Sequence, residues 1–108
     1  MAERLLQVNF GLNVTAPEYR QIATSVAETF AQVPGLRWKV WMLNEAQQEA
    51  GGIYLFEDER ALNNFKNGDL AKVVMTHEAL RNPVIKEFEV MAEQTATTRG
   101  PLVATTSV

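Results

Sequence analysis

The chain has 108 residues, 46% of them hydrophobic and 21% charged, with a net charge of −3, which is one ordinary domain and too short for two. It has no cysteine and a single histidine, His77, which excludes disulfides, a cysteine nucleophile, and thiolate or multi-histidine metal sites, leaving only a carboxylate site open. Lys and Arg are too scattered to neutralise a row of phosphates, no apolar run approaches the roughly 20 residues of a membrane span, and Met1-Ala2-Glu3-Arg4 opens no signal peptide; a soluble, cytoplasmic protein with neither nucleic-acid nor membrane partners is therefore expected.

In chain order, Arg4 to Leu12 alternates, with Leu6, Val8, Phe10 and Leu12 on one side and Leu5, Gln7, Asn9 and Gly11 on the other, as a strand does. Thr15-Ala16-Pro17-Glu18 is a helix start, and Ile22, Val26, Phe30 and Val33 follow at helical spacing until Pro34-Gly35. Leu36 to Leu43 alternates again, Asn44 to Glu49 makes a turn, and Ala50 to Phe56 reads as a central strand apolar on both faces. Within it, Gly51-Gly52 points to a bulge or a close approach by another group. Asp58 caps a second helix carrying Ala61, Leu62 and Phe65; it breaks near Asn67-Gly68, restarts at Asp69 and runs through His77 to Leu80. Asn82-Pro83 ends that segment, and Val84 to Met91 is the fourth strand.

The order is βαββαβ, so the chain is an α+β protein of the ferredoxin-like kind: a four-stranded antiparallel sheet with two helical segments on one face. Residues 1–93 form the domain, and residues 94–108 are a Thr-rich C-terminal tail, either disordered or an arm wrapped along a partner subunit. Strict alternation puts Leu6, Val8, Phe10, Trp38, Val40, Met42, Phe88 and Val90 under the helices. It leaves Gln7, Asn9, Arg37, Lys39, Trp41, Glu87 and Glu89 on the other face, where a second copy would bury Trp41 and pair Lys39 and Arg37 with Glu87 and Glu89. An ordinary solvated sheet face is the alternative.

Pro34-Gly35, Trp38-Lys39-Val40-Trp41 and the run from Glu49 to Phe56 (EAGGIYLF) resemble the YdhR-like monooxygenase family, which belongs to the dimeric α+β barrel superfamily. The matching residues are concentrated between about 34 and 60, and the element order extends the likeness over residues 4 to 92, leaving the tail outside it. This resemblance implies a homodimer with a pocket between sheet and helices in each subunit, and an oxygenase acting on a small aromatic or polycyclic compound. Fold kinship alone warrants little about chemistry.

If the chain is an oxygenase, one histidine and no cysteine permit neither haem-thiolate ligation nor a two-histidine iron triad within one chain. No cofactor and no metal are therefore expected. What remains is oxidation in which a phenol or hydroquinone is deprotonated and its anion reduces dioxygen. This needs apolar walls, one or two hydrogen-bond donors for the oxyanion, and a base. His77 lies on the stripe Leu70–Val73–Val74–His77 and is either base or donor, or simply packed at the core edge. Tyr54 is the second catalytic candidate, as a donor, if it lies on the pocket side. Trp38, Phe10, Val40 and Phe88 are the expected substrate walls; Trp41, Lys39, Arg37, Glu87, Glu89 and Asn9 are the expected dimer contacts, with orientation of a substrate as the alternative for Asn9.

Three functions fit these residues. The first is a cofactor-independent monooxygenase; the second is a non-catalytic binding or stress-response module holding a hydrophobic or aromatic ligand in the same cavity. The third is an assembly protein whose cavity is merely core, favoured if no void of about 300 Å³ exists.

Overall fold

The computed structural model describes residues 2–102. Its elements are β1 (Arg4–Leu12), α1 (Ala16–Ala31), β2 (Leu36–Asn44), β3 (Glu49–Phe56), α2 (Glu59–Lys66), α3 (Asp69–Thr76), β4 (Leu80–Glu89) and α4 (Ala92–Thr97). The strands form one antiparallel sheet in the order β2-β3-β1-β4. This is the ferredoxin-like α+β arrangement, with β1 and β3 central and β2 and β4 at the edges. No helix among the described residues is long and apolar enough to cross a membrane.

Local chemistry sets the element ends. Thr15 accepts a hydrogen bond from the Glu18 N–H at 3.2 Å and gives its own N–H to the Glu18 carboxylate at 2.9 Å, a capping box that starts α1. Gly35 turns the chain into β2 at φ +79, where a side chain would be strained. The Asp58 carboxylate accepts from the Ala61 N–H at 2.8 Å and starts α2. The core then forms on one side of the sheet: Leu6, Val8, Phe10 and Leu12 of β1 and Tyr54 and Phe56 of β3 meet Phe30, Leu62, Phe65 and Ala71 of the helices.

Strand registers reverse two expected faces. Leu36 lies opposite Phe56, but Trp38 lies opposite Leu55, so β2 is bulged at Arg37. One extra residue moves every later side chain to the other side. Lys39, Trp41 and Leu43, opposite Tyr54, Gly52 and Ala50, therefore face the helices, and Trp38, Val40 and Met42 face away. In β4, Glu87 lies opposite Leu6 and Phe88 opposite Leu5, so Phe88 is on the open face while Glu87 turns inward and pairs with Lys66 of α2. Glu89 sits exposed opposite Arg4, and Arg37 pairs with Glu3 at 3.4 Å. Asn9 does lie on the open face, accepting from the Gln7 amide at 2.8 Å.

Two boundaries also move. The helical segment stops at Thr76, and β4 begins at Leu80, passing through Asn82-Pro83. A bulge opposite Phe10 absorbs Asn82, at φ +51, and the outer edge of the sheet tolerates the missing N–H of Pro83. The bulge expected at Gly51-Gly52 is absent, since β3 pairs with β1 and β2 without interruption there; the alternative of close approach holds. The segment beyond Glu89 folds back over the open face, where Trp38 donates its indole N–H to the Pro101 carbonyl at 2.8 Å. Residues 103–108, the end of the expected tail, lie outside the described residues.

Candidate functional site

Between α1, the end of α3 and the helix-side face of β1, β3 and β2 lies a cavity of about 230 Å³. This is below the roughly 300 Å³ at which ligand pockets begin, so by size alone the void falls on the side of the third reading, in which it is merely core, and it leaves room for no more than a small ligand. Three sequence patterns converge on it. The α1 stripe supplies Tyr19, Ile22, Val26 and Phe30; the α3 stripe supplies Leu70, Val73 and Val74 and ends in His77; the bulged β2 supplies Lys39 and Trp41.

Of the residues singled out in the sequence, Phe10, Tyr54 and His77 all border this cavity. Trp38, Val40 and Phe88 do not, because their strands present them to the open face. Trp41 takes the place expected of Trp38, meeting Phe30 edge-on at 5.3 Å between ring centroids. Glycines make the room: a Cβ on Gly52 would stand 2.7 Å from Lys39 Cε, so the bare backbone lets the lysine stem pass over it.

The polar groups have distinct states. His77 Nδ1 accepts the Ala79 N–H at 3.0 Å, which leaves Nε2 as the nitrogen that carries the proton of the neutral ring. Burial pushes the Tyr54 hydroxyl well above the usual phenol range, with Tyr19 adding to the effect, so Tyr54 stays protonated and can only donate or accept hydrogen bonds. Tyr19 is raised by burial too.

Lys39, like Trp41, lies on the face opposite to the one expected from alternation. Its Nζ stands 3.4 Å from the Trp41 ring centroid, 3.6 Å from that of Phe30 and 4.7 Å from that of Tyr54. Burial lowers its pKa from the usual 10.5 to about 7, while the three ring faces favour the charged form. Among the described residues no carboxylate lines the cavity, and no group of three or more His, Asp or Glu is placed to hold a metal. The signal was present in the hairpin: counting back from the turn pairs Asn44 with Glu49, then Trp41 with Gly52 and Lys39 with Tyr54.

Residues 5–101 match the family described as "Putative mono-oxygenase ydhR", and the chain belongs to that family. The match reaches residue 101, so most of the described C-terminal segment is part of the family's extent, contrary to the expectation that the tail lies outside it. Among curated proteins, none matches in sequence. A protein of unknown function from Nitrosomonas europaea superposes with a TM-score of 0.71 at 19% identity, over 84% of this chain and 91% of the other. SnoaB, a cofactor-independent oxygenase from Streptomyces nogalater, superposes with a TM-score of 0.67 at 15% identity, over 84% of this chain and 95% of SnoaB. The heme-degrader MhuD from Mycobacterium tuberculosis, with two hemes bound in its active site, gives 0.63 at 16% identity, over 81% of this chain and 95% of MhuD. At these identities the likeness is one of fold.

Proposed function

We propose, with membership of the ydhR family as the premise, that this chain is a monooxygenase that oxidises a one- or two-ring hydroxyaromatic in the cavity between sheet and helices, drawing the electrons from the substrate itself. The observation that carries the reading is the convergence of Tyr54 and His77 on one aromatic-walled cavity. Phe10, Trp41 and Phe30 flank a flat ring; Tyr54 and the Nε2 proton of His77 supply two donors for a phenolate oxygen. The electron-rich anion reduces dioxygen. One oxygen atom becomes a new ring carbonyl and the other leaves as water with the two hydrogens the substrate loses, so naphthol and dioxygen give naphthoquinone and water. The SnoaB fold likeness supports this chemistry over a purely structural role.

The test is dioxygen uptake by chelator-treated protein with a panel of naphthols and hydroquinones, with quinone followed by absorbance. Uptake is expected, falling at least tenfold in His77→Ala or Tyr54→Phe. If the protein binds panel members by titration yet consumes no dioxygen with any of them, it is a binding module and not an oxygenase.

The same reading assigns the open face to a second copy of the chain. Val40, Val84 and Phe88, each about half exposed, lie there beside Ile53 and Met42, with Lys86 as the charged residue at the middle. This surface is apolar, so the contact it favours is hydrophobic burial in place of the Lys39/Arg37 to Glu87/Glu89 pairing expected from sequence.

A further inference from the structure

We propose that Lys39 is the group that takes the proton from the substrate hydroxyl and then holds the oxyanion, which makes acidic hydroxyaromatics the substrate class of the cavity. The inference rests on the reading of the cavity as the substrate site, and it supplies the base that the reading lacks: His77 offers a proton from Nε2, and Tyr54 is held protonated.

Two other cations on the strands and helices around the cavity have carboxylate partners, Arg37 with Glu3 and Lys66 with Glu87. Lys39 has none among the described residues; its ammonium is boxed by Phe30, Trp41 and Tyr54. Ring faces stabilise a cation only modestly, while burying a charge without a counter-ion costs considerably more. An anionic ligand in the cavity is the missing partner. Space for the lysine is built in as well, since Gly52 is bare where the stem crosses it. The flat walls beside Nζ select a ring, and the amine selects an ionisable hydroxyl on it.

The step balances as a proton transfer: the hydroxyl O–H breaks, the proton goes to Lys39 Nζ, and the electron pair stays on the substrate oxygen as a phenolate beside the new ammonium. The other titratable groups that face Lys39 are Tyr19 from α1, Tyr54 from β3 and His77 after α3; Arg37, two residues back on β2, is paired with Glu3, and Arg20 of α1 lines the adjoining hollow behind Trp41. Lys39, with a pKa of about 7, has a neutral amine with a free lone pair at hand near pH 8, whereas Tyr19 and Tyr54 keep their protons and the Nδ1 of His77 is already engaged by the Ala79 N–H.

The experiment uses 2-naphthol as the probe near pH 8, where the free compound is neutral and its anion is distinguished by absorbance. Wild-type protein is expected to bind it as the anion without releasing a proton to solvent. Lys39→Met should bind it only as the neutral form and at least tenfold more weakly, while still taking up naphthalene, which shows that the cavity survives. Lys39→Arg should bind the anion and release one proton per probe, because a guanidinium has no neutral form to receive it. Neutral probe bound to wild type, or an anion signature surviving in Lys39→Met, overturns the proposal. The outcomes separate from those above: an anion signature without dioxygen uptake sinks the oxygenase and keeps Lys39, whereas uptake undiminished in Lys39→Met keeps the oxygenase and sinks Lys39.

Discussion

At the scale of single residues, the cavity is organised by a lysine that the fold holds under strain of charge. The unfolded chain binds a proton on Lys39 up to about pH 10.5, the folded one only to about 7, so between those values the unfolded state carries the extra proton and stability rises with pH. Below pH 7 the full desolvation cost is present. Lys39→Met removes it, and the variant should be more stable than wild type by roughly 3 kcal/mol near pH 6, a gap that narrows as pH climbs from 7 toward 10. Urea midpoints measured across that range give the answer; a gap that is constant with pH would mean the amine is as well solvated as any surface lysine.

At the scale of elements, the sequence was most legible where alternation ran unbroken. The β1 pattern placed Leu6, Val8 and Phe10 correctly because nothing interrupts its pairing with β3. In β2 the same counting inverted Trp38 and Trp41, because the bulge at Arg37 has no signature in composition: a charged residue between Leu36 and Trp38 fits either register. Counting from the Asn44–Glu49 closure would have avoided the error. In β4, alternation divides Phe88 from Glu87 but does not say which of the two sides faces the helices, and taking the more hydrophobic side fails when both faces of a sheet are apolar. The glycine doublet of β3 shows how finely the elements fit. A Cβ on Gly51 would stand 2.0 Å from the Val8 carbonyl oxygen, and one on Gly52 would meet mainly the flexible Lys39 stem. Gly51→Ala must therefore push β3 from β1 and should lose roughly 2 kcal/mol or more in denaturant unfolding. Gly52→Ala should stay within about 1 kcal/mol of wild type, yet abolish the naphthol anion signature. Equal losses in the two variants would contradict this division.

At the scale of the molecule, a sheet with two apolar faces divides its labour. One face carries three helices and the cavity; the other is covered at one end by the segment ending in Pro101 and offers Val40 and Val84 beyond it. The exposed apolar side chains Val40, Val84 and Phe88 on that face are what support the proposal that two copies meet there. The two tryptophans, three residues apart on β2, report on opposite sides of this division.

The most direct test is fluorescence from the single-tryptophan variants Trp38→Phe and Trp41→Phe. Titration with 2-naphthol should quench Trp41 saturably and leave Trp38 nearly unchanged, while dilution through the self-association range should shift Trp38 emission and spare Trp41. Quenching confined to Trp38, or a Trp41 signal that follows protein concentration, would place ligand and partner on the wrong faces and contradict the account.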